Sequence, residues 1–253
     1  MWEEVNFKAF DPKVNSTQDI HIEGINSGGL LVSRAAEFAV VVEMQIIRNI
    51  LLGKIRDYEK SGLVNNVESQ VNFFTLSDMT FFNYKGREIV LLPPVMGAPL
   101  MECIVQNANS LGANYFVRLG TTGSLSTTIP KYSFIVTKSS VRGDGTSDHY
   151  LPIGVPAVSD ESLNKSIVSK FNERKIPYIE GVSFTTETRF KEDVSHLLNL
   201  YKLQGVTNIE MESAALFSVA AELDIRCSSI SMVSDCLAGD ELSISNSTLV
   251  GIP

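Results

Sequence analysis

The chain has 253 residues, 44% of them hydrophobic and 20% charged, with a formal net charge of −8. This length and balance predict one α/β domain over residues 1–253 with ample core, since no Pro-, Gly- or Ser-rich linker and no charge shift divides it. The acidic surplus argues against nucleic acid as a partner, because a phosphate backbone needs a basic face, but it leaves room for a small anion held by local donors.

Met1-Trp2-Glu3-Glu4 lacks the basic-then-apolar order of a secretory signal, and no run approaches the ~18 apolar residues a membrane span needs. A cytoplasmic protein without membrane contact is therefore expected. Phe38 to Leu52, broken by Glu43, Gln45, Arg48 and Asn49, predicts a mostly buried helix. Glu88 to Leu92 reads as a strand, Pro99 to Leu111 as a helix, and Tyr115 to Arg118 as a strand. Ser133 to Thr137 is another strand, Asp160 to Lys175 a helix, and Pro177 to Val182 a strand. Asn208 to Glu222 predicts a helix and Cys227 to Val233 the last clear strand. The alternation implies a central mixed β-sheet flanked by helices, a fold whose ligands bind at the carboxyl ends of strands. Cys103, Cys227 and Cys236 lack CxxC spacing and read as reduced thiols.

Three motifs stand at strand ends or helix starts. In Asn208-Ile209-Glu210-Met211-Glu212-Ser213-Ala214-Ala215-Leu216, two acids flank a methionine within apolar surroundings. Desolvating a carboxylate costs several kcal/mol (roughly, per ion) unless hydrogen bonds replace the lost water. A solvated helix start, with Glu residues favouring the positive end of the dipole, fits these residues equally well. Arg118-Leu119-Gly120-Thr121-Thr122-Gly123 places a planar cation, two glycines and two hydroxyls in six residues, which suits an anion. A tight turn with a salt-bridged Arg118 is the alternative. Ser231-Met232-Val233-Ser234-Asp235 closes a strand-like run. His21, His149 and His196 have no metal-ligand spacing, so no metal is expected, and no Gly-x-Ser-x-Gly elbow is present.

Together with Ser139-Ser140-Val141-Arg142 and Gly154-Val155-Pro156-Ala157-Val158-Ser159-Asp160, these motifs resemble the nucleoside phosphorylase family of hexameric purine nucleoside phosphorylases and uridine phosphorylases. The resemblance runs from about Gly97 to Asp235. It implies phosphorolysis of the N-glycosidic bond of purine nucleosides to free base and (deoxy)ribose 1-phosphate, with inorganic phosphate as co-substrate and no other cofactor. It also implies a homo-oligomer, a dimer or a hexamer. By the resemblance, Arg118, Gly120 and Thr121 bind phosphate, while Met211, Glu212 and Glu210 bind ribose. Thr122, Gly123, Phe190 and Ser234 line the base, and Asp235 is the general acid at the purine N7. Val141-Arg142-Gly143-Asp144-Gly145 is closer to the uridine branch, but Lys191 to His196 lacks that branch's Gln and Arg.

The family's Gly-Asp-Pro-x-Arg phosphate loop has no counterpart. Its nearest stretch is Leu30 to Phe38, where Arg34 is the substitute arginine, and a second family arginine falls near Thr75. The strand end that is His-Gly in the family is Pro93-Pro94-Val95-Met96-Gly97 here. A uridine phosphorylase, a hydrolytic nucleosidase and a non-catalytic nucleoside-binding or partner subunit are the other readings.

Overall fold

The computed structural model describes residues 34–71, 78–189, 199 and 205–238. The chain enters the sheet at β1 (Phe38–Val42), whose Phe-Ala-Val-Val-Val run is stiff at Cβ and suits a pleated strand. It continues through helix α1 (Gln45–Lys60), then β2 (Val64–Val71), β3 (Asp78–Tyr84) and β4 (Arg87–Leu91). Helix α2 (Ala98–Ser110) leads to the ten-residue β5 (Tyr115–Ser124), followed by β6 (Phe134–Gly143) and the short β7 (Ala157–Val158). Helix α3 (Glu161–Glu173), β8 (Tyr178–Thr186), β9 (Val206–Glu210), helix α4 (Ser213–Glu222) and β10 (Arg226–Cys236) complete the order.

Strand β5 is the hub. Its first half pairs in parallel with β1, its whole length in parallel with β10, and Gly123 and Ser124 pair antiparallel with β9. Because β10 also pairs with β6, β6 with β8, and β8 with β9, the pairings close a ring through β5, β10, β6, β8 and β9. From this ring β1, β4, β3 and β2 extend as an open wing.

The period-2 alternation of strands sorts β1 between two layers. Ala39 and Val41 join Met101, Ile104 and Val105 of α2 and Phe217 and Val219 of α4 in one core cluster. Val42 faces the other way, into a smaller cluster with Ile55 of α1 and Leu91. Helix α4 is apolar or small all round and buried from Ser213 to Ala220, as expected of a helix wrapped by its own fold. Asp160 caps α3 by accepting the Leu163 N–H at 2.7 Å, and its own N–H donates to Cys227 O at 2.8 Å, which ties that helix to β10. All three cysteines are free, and burial pushes the Cys227 thiol up to about 12. Among the described residues no helix is long and apolar enough to cross a membrane.

The mixed sheet flanked by helices matches the expectation, with two local corrections. Phe38 to Leu52 is not one helix but β1, a two-residue link and the start of α1. Strand β1 lies between β4 and β5 with both faces covered, so both parities are apolar and alternation vanishes. Likewise Asn208 to Glu222 is not one helix: β9 ends at Glu210 and α4 begins at Ser213, so the acid motif is a strand-to-helix corner.

Asp160→Ala is expected to cost about 1 kcal/mol near neutral pH through loss of the cap. Burial alone raises the Asp160 carboxyl, but hydrogen bonds from Ser162 and the Leu163 N–H outweigh it and hold the group below its ordinary value. A group so depressed contributes stability above its unfolded pKa and loses it as pH falls through the folded one. Urea titrations should therefore show the gap between Asp160→Ala and wild type closing at acid pH. An equal gap across the acid range would refute the assignment.

Candidate active site

Arg118 projects from β5 and is fully buried, the largest side chain so enclosed among the described residues. Its guanidinium carries five N–H donors in a fixed fork. One terminal nitrogen donates to Ser229 Oγ and Ser231 Oγ of β10, both at 2.9 Å. The other donates to Glu212 Oε2 at 2.6 Å and to Glu43 Oε1. The Nε–H has no acceptor. Glu210 Oε2 lies 3.3 Å from the same terminal nitrogen, so one cation faces three carboxylates.

The acid corner divides its labour. Glu210 accepts from Glu212 N at 2.9 Å, Ser213 N at 2.7 Å and Ser213 Oγ at 2.8 Å, and Thr185 Oγ1 donates to its second oxygen. Every one of these donors belongs to the corner or to β8, and they fix the first turn of α4 in the place where a helix has orphan N–H groups. Glu212 is different: one oxygen takes the Arg118 bond and the other accepts Gly97 N at 2.6 Å. Gly97, at φ 87°, opens α2, so the Pro93–Gly97 segment does converge on the site. Met211 sits half-buried between the two acids.

Glu43 was not singled out by the sequence. The parallel register sets Val41 beside Arg118 and Val42 beside Leu119, so the next residue, Glu43, reaches Gly120. Its Oε2 accepts the Thr121 N–H at 2.8 Å and Thr121 Oγ1 at 3.1 Å, while Oε1 takes Arg118. Gly120 makes room for this: an added Cβ would lie 2.6 Å from Glu43 Oε1 and 2.7 Å from the Arg118 Cζ. Its signal in the sequence was an acid straight after a β-branched run.

The remaining residues lie further along the same strand end. Thr122 Oγ1 donates to Ile209 O at 2.6 Å and accepts from Asn208 Nδ2 at 2.8 Å, so it braces β9. Asp235 pairs in register with Gly123 across a β-bulge at Ser234, and a Cβ on Gly123 would lie 3.4 Å from Asp235 Oδ2. Ser234 Oγ donates to Asp235 Oδ1. Phe190, and Thr75 as the place of a second arginine, lie outside the described residues. Among the described residues, no group of three or more His, Cys, Asp or Glu is placed to hold a metal ion.

Arg34 is not a substitute for the missing loop arginine. It precedes β1 and is held by Glu88, at the start of β4, with Nε to Oε2 at 3.0 Å, whereas the site lies beyond the end of β1. The residues that follow the first described strand are Glu43-Met44-Gln45-Ile46-Ile47-Arg48. Arg48 is buried there with its guanidinium on Leu92 O, Asp78 O and Thr80 Oγ1, and burial lowers its pKa from the usual arginine value.

A family model described as the phosphorylase superfamily matches residues 39–250. The chain is 28% identical over 162 residues to the uridine phosphorylase of Haemophilus influenzae, covering 58% of this chain and 64% of that protein. It is 26% identical over 162 residues to the uridine phosphorylase of Thermococcus kodakarensis, covering 59% and 58%. A DeoD-type purine nucleoside phosphorylase of Buchnera aphidicola is 27% identical over 168 residues, covering 62% and 68%. The chain thus spans less than two thirds of the length of these two uridine phosphorylases. A crystal structure of uridine phosphorylase from Vibrio fischeri superposes with a TM-score of 0.70 at 22% identity, over 81% of this chain and 80% of that one, a likeness of fold.

Arg118→Met should destabilise the protein by about 3–5 kcal/mol, because it leaves buried carboxylates without their cation. Gly120→Ala should cost about 1–3 kcal/mol through overpacking against Arg118 and Glu43. Urea unfolding followed by circular dichroism measures both. Stability within error of wild type for Arg118→Met would show that the cluster does not depend on its cation.

Proposed function

The chain belongs to the phosphorylase superfamily, and on that premise we propose that it cleaves the N-glycosidic bond of nucleosides, with a purine as the leaving base and inorganic phosphate as acceptor. The observation that carries this reading is the convergence on one strand end. Glu212 lies on Arg118, Thr121 follows it, and Asp235 faces Gly123.

In this proposal Glu212 accepts the ribose hydroxyls and Met211 packs on the apolar face of the sugar. Glu210, given the donors that occupy it, positions the corner and not the sugar. Arg118, Gly120 and Thr121 form the anion subsite, and Thr122, Gly123, Ser234 and Phe190 border the base. As the base departs, positive charge grows on the sugar ring. Preorganised carboxylates beside that charge stabilise the transition state without reorganisation at the moment of reaction. A purine leaves more readily once N7 is protonated, and Asp235, oriented by Ser234, is the acid within reach of a base stacked over Gly123. The uridine phosphorylase relatives make a pyrimidine the competing base, and the Ser234–Asp235 pair is what favours the purine.

One observation favours a second reading, hydrolysis with water as acceptor: the Glu43 carboxylate already holds donors of the anion subsite. Assembly as a homo-oligomer, a dimer or a hexamer, is part of the proposal and is checked by light scattering.

Inosine, adenosine and uridine, each offered with and without phosphate, test the reading by the release of free base and ribose 1-phosphate. Phosphate-dependent release of a purine base is expected, falling about 100-fold or more in Asp235→Asn, the usual size of a general-acid effect. Uridine cleaved in preference to both purines, with Asp235→Asn unimpaired, would overturn the purine assignment. No turnover of any of the three would overturn the catalytic one.

A further inference from the structure

We propose that Glu43 is the residue that selects the acceptor: its carboxylate is a built-in anion seated in the Arg118–Thr121 cradle, and phosphate binds only as Glu43 leaves. This rests on the assignment of that cradle as the anion subsite.

The donor count carries the inference. Of the five N–H groups of Arg118, two are taken by Ser229 and Ser231, one by Glu212 and one by Glu43. The Thr121 backbone N–H and hydroxyl are both taken by Glu43 Oε2. Of the Arg118 and Thr121 donors, the one left over is the Arg118 Nε–H, which is buried. An incoming phosphate therefore finds the Arg118 fork and both Thr121 donors already taken while Glu43 stays. It also meets three carboxylates around one guanidinium, and like charges repel strongly where side chains are 0–9% exposed.

The seat is built and not incidental. Glu43 N donates to Leu119 O at 3.4 Å, so the backbone is held to β5 at the point where the side chain turns in. Gly120 supplies the hollow that Oε1 fills. The carboxylate thus presents two oxygens to a guanidinium, an amide and a hydroxyl, which is the donor set a phosphate oxygen pair needs. Glu43 is the first residue after β1, at the strand's open end, so its side chain can swing away without breaking strand pairing. Water, being neutral and small, is not subject to the same exclusion. Glu43 accordingly biases the site against an anionic acceptor.

Titration calorimetry with inorganic phosphate on the full chain tests this without any turnover. Wild type should bind phosphate more weakly than about 1 mM. Glu43→Gln, which keeps the shape and one acceptor, and Glu43→Ala, which empties the seat, should each bind at least ~10-fold more tightly, a difference of about 1.4 kcal/mol. Thr121→Val added to Glu43→Ala should remove much of that gain, showing that the anion sits in the same cradle. Folding of each variant is checked by circular dichroism. Micromolar phosphate binding by wild type would overturn the proposal with no variant needed, and so would folded Glu43→Gln binding phosphate no better than wild type. Tight binding by the variants with no cleavage of any nucleoside would uphold the role of Glu43 while removing the catalytic reading, so the two failures are distinct.

Discussion

The structure turns on burying one guanidinium. Arg118 sits on β5, a strand that pairs with three others, and moving a cation there is unfavourable unless its donors are matched. Four of its five N–H groups are met, by residues from β10, from the corner after β9 and from the residue after β1. Four segments far apart in sequence are thereby fixed around one atom group. Their carboxylates need Arg118 as much as Arg118 needs them, which makes the cluster an all-or-none device. Removing one partner from such a cluster is costly because it leaves the others buried without compensation.

The sheet makes that arrangement affordable by closing on itself. A ring through β5, β10, β6, β8 and β9 puts the ends of β5, β9 and β10 around one mouth, while β1 approaches from the open wing. The bulge at Ser234 re-aims Asp235 toward Gly123, a use of strand irregularity that recurs beside sites. Buried serines and threonines, among them Ser229, Ser231, Ser213 and Thr185, supply hydroxyls that satisfy charge without adding any. The polar interior is dense but nearly complete, because Ser213 alone links Glu210 to Ser229.

Much of this was legible in the sequence, and the limits are physical. Strands β4, β5, β6, β8 and β10 and helices α2 and α3 announced themselves by apolar runs and by the cap at Asp160. The resemblance picked out Arg118, Gly120, Thr121, Glu212 and Asp235, which the fold does bring to one strand end. What failed were places where pattern carries no phase. Strand β1 is covered on both faces and so reads like a buried helix. The β9–α4 corner has apolar residues on either side of a two-residue turn. Strand β2, Val-Asn-Asn-Val-Glu-Ser-Gln-Val, is a polar edge strand with little to distinguish it from a loop. The partner of Arg118 after β1 is hidden for the same reason: in a helical reading of Phe38 to Leu52, Glu43 is an interruption in an apolar face and not a strand-end residue.

On the proposed activity, the charge at that strand end bears on the chemistry whichever base leaves. A site that splits a glycosidic bond must stabilise a cationic sugar and admit a nucleophile to it. Carboxylates serve the first task, and an arginine serves the second when the nucleophile is an anion. Here three carboxylates share one arginine, so the balance is tilted toward the cation and away from the anion. Glu212 is held by Gly97 and Arg118, and Glu210 by the first turn of α4. Among the described residues, Glu43 is held by the cradle itself and by one backbone bond to β5. The tilt can therefore be reversed by moving a single side chain, and the register of β1 against β5 decides which one.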